Sequence, residues 1–140
     1  MSAAQQFLPP VIVLIGLSFL TALTILFTRM ADLVQRKLPL SYYEDFNGGD
    51  APTSVIRPTR QLANQFEFPV LFYTLIAFIV ALDLSDPLLV ALAWAYVALR
   101  WAHGLSHIWL NHIYIRTPLF MFSNIVLLVM WGRFVFDVLG

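Results

Sequence analysis

The chain has 140 residues, of which 60% are hydrophobic and 11% charged, with a mean hydropathy of +0.79. A soluble domain carries roughly 25% charged residues, so this composition excludes one and describes an integral membrane protein. Lys+Arg and Asp+Glu each number 8, which argues against a nucleic-acid partner; the lack of cysteine excludes disulfides, thiolate metal sites and a protein thiol nucleophile.

The chain reads as a single membrane domain of four helices, at about 8–36, 55–82, 87–113 and 118–138, with a polar loop at 38–54. Met1 to Thr28 contains no charged side chain, and Val11 to Phe27 is almost continuously apolar. No basic region precedes that run, as a secretory signal would require. A retained first transmembrane helix is expected, with Pro9 and Pro10 near its start. The loop that follows holds Pro39, Asn47-Gly48-Gly49-Asp50 and Pro52, which are turn formers, together with Glu44 and Asp45. It is long for a helix–helix connection and fits either a plain surface loop or a binding loop.

The second helix opens with Arg57, Arg60, Asn64 and Glu67. At about 100° per residue these four share one narrow arc of the helix. Ionisable groups in hydrocarbon are expensive and turn toward protein or a wet cavity. Arg60 and Glu67 either neutralise each other or form part of a site. Pro69, inside the same run, removes a backbone donor and predicts a kink just after Glu67. Asp83-Leu84-Ser85-Asp86-Pro87 is a short acidic turn in which Ser85 or Asp86 can cap the third helix.

The third helix carries Arg100, His103, His107 and Asn111 at intervals of three, four and four, hence on one face. The histidine pair fits hydrogen bonding inside the bundle, ligand binding, or two ligands of a metal. No third ligand stands at a definite spacing, so no metal is assigned. Ile115-Arg116-Thr117-Pro118 reads as a tight connection into the fourth helix.

Basic residues crowd the connection between helices one and two (Arg29, Arg36, Lys37, Arg57, Arg60), and Arg116 marks the one between three and four. The turn between two and three has only Asp83 and Asp86. The positive-inside rule then puts the first two connections in the cytoplasm and both termini outside, in an inner or plasma membrane. The polar faces of helices two and three thus fall at one depth, near the cytoplasmic side.

Arg60, Arg100, Arg116 and Arg29 would make such a site electropositive, while Asn64 and Glu67 add acceptors for an amine or amide. A small zwitterionic or dianionic ligand fits, and a thiol placed there would ionise more readily.

At these residues the chain resembles the MAPEG family (membrane-associated proteins in eicosanoid and glutathione metabolism), in a bacterial-type member. The resemblance rests on four transmembrane helices within this length and on Arg60-x3-Asn64-x2-Glu67-Phe68-Pro69 at the opening of the second. Arg100-x2-His103-x3-His107-x8-Arg116 is similar to the third-helix pattern of the prostaglandin E synthase branch. His107 stands where the family usually has tyrosine, and Phe120 where another ring often carries a hydroxyl.

The resemblance implies an all-α, four-helix membrane bundle assembled as a homotrimer, with glutathione as co-substrate bound between subunits. It implies a transferase or peroxidase acting on a lipophilic small molecule dissolved among the membrane lipids. Arg116 would be catalytic, stabilising the thiolate. Arg57, Arg60, Asn64, Glu67, Arg100, His103 and His107 would bind the co-substrate, with Arg29 supplied by the adjoining subunit. The alternative is a non-enzymatic membrane protein whose polar cluster is structural or holds a lipid head group.

Overall fold

A computed structural model describes residues 1–35, 53–84, 86–110 and 112–140. The described residues form the helices α1 (Ala3–Gln35), α2 (Thr53–Gln65), α3 (Phe68–Ala81), α4 (Pro87–Leu105) and α5 (Ile113–Leu139), with a π-helical turn (Ser106–Leu110) continuing α4. Four stretches are long and apolar enough to cross a membrane: Ala3–Gln35, Thr53–Ala81, Pro87–Leu110 and Ile113–Leu139. The protein is therefore an all-helical integral membrane bundle. Residues 38–52 of the polar loop, Arg36, Lys37, Ser85 and Asn111 lie outside the described residues, and Thr53 and Ser54, expected in that loop, already belong to α2.

α1 begins five residues before the position that its prolines suggest. A reciprocal cap sets the start: the Ser2 hydroxyl accepts from the Gln5 N–H, and the Gln5 side-chain oxygen accepts from the Ser2 N–H. Such a box satisfies two of the donors that a helix N-terminus leaves open. A third, the Ala3 N–H, donates to the Asp83 carboxylate at 3.1 Å, which pins the start of α1 to the turn after α3. With 33 residues, α1 is about 50 Å long and outruns a hydrocarbon layer of about 30 Å.

Pro69 leaves its mark as a complete break. α2 stops at Gln65, Phe66 and Glu67 are not helical, and α3 restarts at Phe68 with the proline in its first turn. Asp86 caps α4 by accepting from the Leu88 N–H at 2.8 Å. Its second oxygen accepts from Arg133 Nε, also at 2.8 Å, so the start of α4 is tied to the last turns of α5.

Phe7, Leu14 and Leu17 of α1 pack against Phe72, Leu75 and Ile79 of α3, Leu89, Ala93 and Tyr96 of α4, and Leu127 and Met130 of α5. α4 and α5 share the most extensive contact, and α1 lies against α2 and α4. Within a bilayer lipid is as apolar as leucine, so close packing and buried polar contacts hold helices together. Trp101 Nε1 donates to the Val13 carbonyl across α4 and α1 at 3.1 Å. Gly104 allows the closest approach: a Cβ there would sit 2.8 Å from Gln61 Nε2 and 3.2 Å from a Leu17 methyl.

Candidate functional site

The end of the bundle that holds the α2–α3 break carries an open cavity of about 420 Å3. Three chain segments line it. Arg60, Ala63 and Asn64 come from the last turns of α2, with Glu67 at the break; His103 and His107 come from the end of α4 and the π turn; Arg116, Thr117 and Phe120 come from the start of α5. The break lets α2 end at the cavity instead of running past it, so Asn64 and Glu67 sit beside a helix C-terminus.

That terminus leaves carbonyls without helical partners. Arg100, fully buried, closes one of them: its Nη2 donates to the Asn64 carbonyl at 2.7 Å. A cation is favoured at this end of a helix dipole. Arg100 also lies over the Phe120 ring, with Cζ 5.7 Å from the centroid. The residue expected among the binding groups is thus placed behind the cavity wall, where it holds the end of α2.

The π turn widens the helix by one residue and carries His107 to the cavity, whose lining it shares with His103 one turn back. Such insertions recur at functional sites. The two rings stand 5.8 Å apart. The Arg116 carbonyl accepts from His103 Nδ1 at 2.9 Å, which fixes that tautomer with the proton on Nδ1. Arg116 Nη1 lies 3.4 Å from His107 Nε2. Phe120 packs edge-on against Phe68 at 5.5 Å and beside His103, also at 5.5 Å. One wall is therefore aromatic, and the other carries Arg60, Asn64 and Glu67.

The structure alters three expectations about placement. Arg116 is not in a turn: α5 already starts at Ile113, so Arg116 occupies its first turn, and its backbone N–H donates to the His112 carbonyl at 3.0 Å. The third helical stretch ends at Leu110, with the π turn, instead of running to Ile113. Arg57 shares an arc with Arg60 on α2 but faces a separate cleft of about 280 Å3, lined by Thr24, Thr28, Ser54 and Trp109 among others. Arg29, near the end of α1, is not among the residues lining the Arg60 cavity of its own protomer.

Ala63 and Thr117 line the cavity without having been singled out as site residues. Their signal was adjacency, since each neighbours a named residue, Asn64 and Arg116, on a helix that ends or begins there. No group of three His, Cys, Asp or Glu side chains comes together among the described residues.

At the opposite end, Asp86, Arg133 and Asp137 form a chain of contacts, with Arg133 Nη2 3.1 Å from Asp137. Partial desolvation acts to raise the Asp86 pKa. The hydrogen bonds from Arg133 and the Leu88 N–H, with the guanidinium charge, outweigh it and hold the carboxyl below its ordinary value.

No curated protein and no solved structure gives a significant match to this sequence. The family model for MAPEG matches residues 7–136, which takes in all four membrane spans apart from their outermost residues. This four-helix membrane protein, with its cavity at the broken second span, belongs to the MAPEG family.

Proposed function

We propose that the cavity binds glutathione and that the protein is a membrane-embedded transferase or peroxidase acting on a lipophilic electrophile. One observation carries this reading: a single cavity gathers Arg60, Asn64 and Glu67 with Arg116, His103 and His107. Its volume of about 420 Å3 falls in the roughly 300–1,000 Å3 range of small-molecule sites. Arg60 is the two-pronged partner for a glutathione carboxylate. Asn64 and Glu67 supply acceptors for its amine and amide groups. Arg116 faces the same space and stabilises the sulfur once it is anionic.

A homotrimer is part of the proposal, with the site facing the cytoplasm. Arg29 stays outside its own protomer's cavity, and a neighbouring copy would bring its first-helix arginine to the open side of the site. The apolar outer faces, such as Phe19 and Phe27 of α1 and Leu128 of α5, are exposed in the protomer and suit lipid or a neighbouring copy.

Thermal unfolding in detergent, titrated with glutathione and its S-alkyl analogues, tests the reading. A ligand that binds only the folded state stabilises it by about 2.7 kcal/mol at a hundred times its Kd. The unfolding temperature is expected to climb with ligand in that manner. A flat response at millimolar ligand would reject glutathione and favour a structural or head-group role for the cluster. Mass in mild detergent checks the trimer, and a monomer that binds glutathione normally would refute it.

A further inference from the structure

His107 is 6% exposed, yet it belongs to the cavity lining. A guanidinium only donates, so the approach of Arg116 Nη1 to 3.4 Å finds a lone pair on His107 Nε2. The ring is then neutral and carries its proton on Nδ1, which is buried and meets no hydrogen-bond partner among the described residues. A separation of 3.4 Å is longer than a good hydrogen bond of about 3.0 Å. An incoming group can therefore take over this lone pair at little loss. His103 is held differently, since its Nδ1–H is committed to the Arg116 carbonyl. Of the two imidazoles, His107 is the one whose lone pair meets the guanidinium assigned to the sulfur.

Resting on the glutathione reading above, we propose that His107 is a catalytic base that accepts the thiol proton at Nε2. The S–H bond breaks, the proton moves to Nε2, and the sulfur keeps the electron pair next to Arg116. The sulfur then bonds to the electrophilic carbon. The electron pair of the bond broken in the electrophile moves to its departing or acceptor atom, which takes the proton back from Nε2. Atoms and charge balance over the cycle with no further reactant. The charged groups that share the cavity with His107 are Arg60 from α2, Glu67 at the break and Arg116 from α5, with His103 one turn back on α4, and Arg57 acts on it only through its charge from the neighbouring cleft. The thiolate places an anion among these cations, which is what allows a transient imidazolium to stand beside them.

The test compares the wild type with His107→Gln and His107→Phe in detergent. Three quantities are read: glutathione affinity by calorimetry, the ultraviolet absorbance of the bound thiolate, and turnover of an apolar electrophile between about pH 6 and pH 9. Both variants are expected to bind glutathione within a few-fold of wild type. At about pH 6.5 their thiolate signal and turnover fall about 100-fold, the usual scale of a lost general base. Near pH 9 the gap narrows to under tenfold, because a thiol with a pKa of about 8.5 ionises without help. A loss equal at every pH, or turnover kept at low pH by a variant that binds glutathione, overturns the proposal. Should His107→Phe not fold, His107→Gln decides alone, since it keeps an acceptor for Arg116 and cannot carry the proton. A wild type that binds no glutathione overturns the functional reading and this inference with it, a result that does not involve the variants.

Discussion

Replacing Asp83 separates two contributions that the wild-type residue makes at once. Its carboxylate accepts the Ala3 N–H at 3.1 Å, and with Asp83 in place Ala3 is 0% exposed. Leaving a buried donor unmatched costs about 1–3 kcal/mol. Asp83 also sits at φ 48°, in the left-handed region. That conformation costs an ordinary L-residue about 1–2 kcal/mol, is easier for Asp and Asn, and is free for Gly. Asp83→Asn keeps both an acceptor and a tolerant backbone, so it should lie within about 0.5 kcal/mol of wild type. Asp83→Gly loses the acceptor and regains about 1 kcal/mol of backbone strain, for a net loss of roughly 0–2 kcal/mol. Asp83→Ala loses the acceptor with no relief and should be the worst, at roughly 1–3 kcal/mol or somewhat more. Thermal unfolding of the four proteins in one detergent reads the order wild type ≈ Asn, then Gly, then Ala. If Asn drops to the level of Ala, the charge and not the hydrogen bond matters. If Ala matches wild type, the start of α1 does not depend on this contact.

Asp86 should make stability pH-dependent. Its folded carboxyl lies below its ordinary value, so the stabilisation is complete above the ordinary aspartate range and is lost as pH falls through the lower folded value. Asp86→Asn should flatten that acid limb in a stability–pH profile; an unchanged limb would refute the assignment. Arg116→Ala is expected to lose about 100-fold in turnover while glutathione still binds through Arg60, Asn64 and Glu67, and retained thiol-transfer activity would exclude Arg116 from catalysis. Arg100→Met removes both a charged hydrogen bond and a buried cation, two opposing effects of a few kcal/mol, so stability should change little. Glutathione affinity measured by calorimetry should nevertheless fall several-fold, because the end of α2 that carries Asn64 and Glu67 loses its anchor; an unchanged affinity would show that Arg100 does not position them.

Composition and apolar runs alone determined that this chain spans a membrane four times, because a bilayer requires long helical stretches of apolar residues and tolerates few charges. Local periodicity likewise placed Arg60, Asn64 and Glu67 together, since residues three and four apart on a helix must share a face. The start of α1 was also written locally, in the Ser2–Gln5 pair, although the prolines drew attention further along. Only the tertiary structure decided which neighbour each face meets. Arg57 lies on the same arc as Arg60 but opens on another cleft, because α1 and the π turn stand across from it. Arg100 lies on the same face as His103, yet a nearby carbonyl left open by the α2–α3 break draws it into the wall. A constant period already set His107 on the face of His103, but the π turn that carries it changes the period itself, and no reading that assumes a constant one contains that turn.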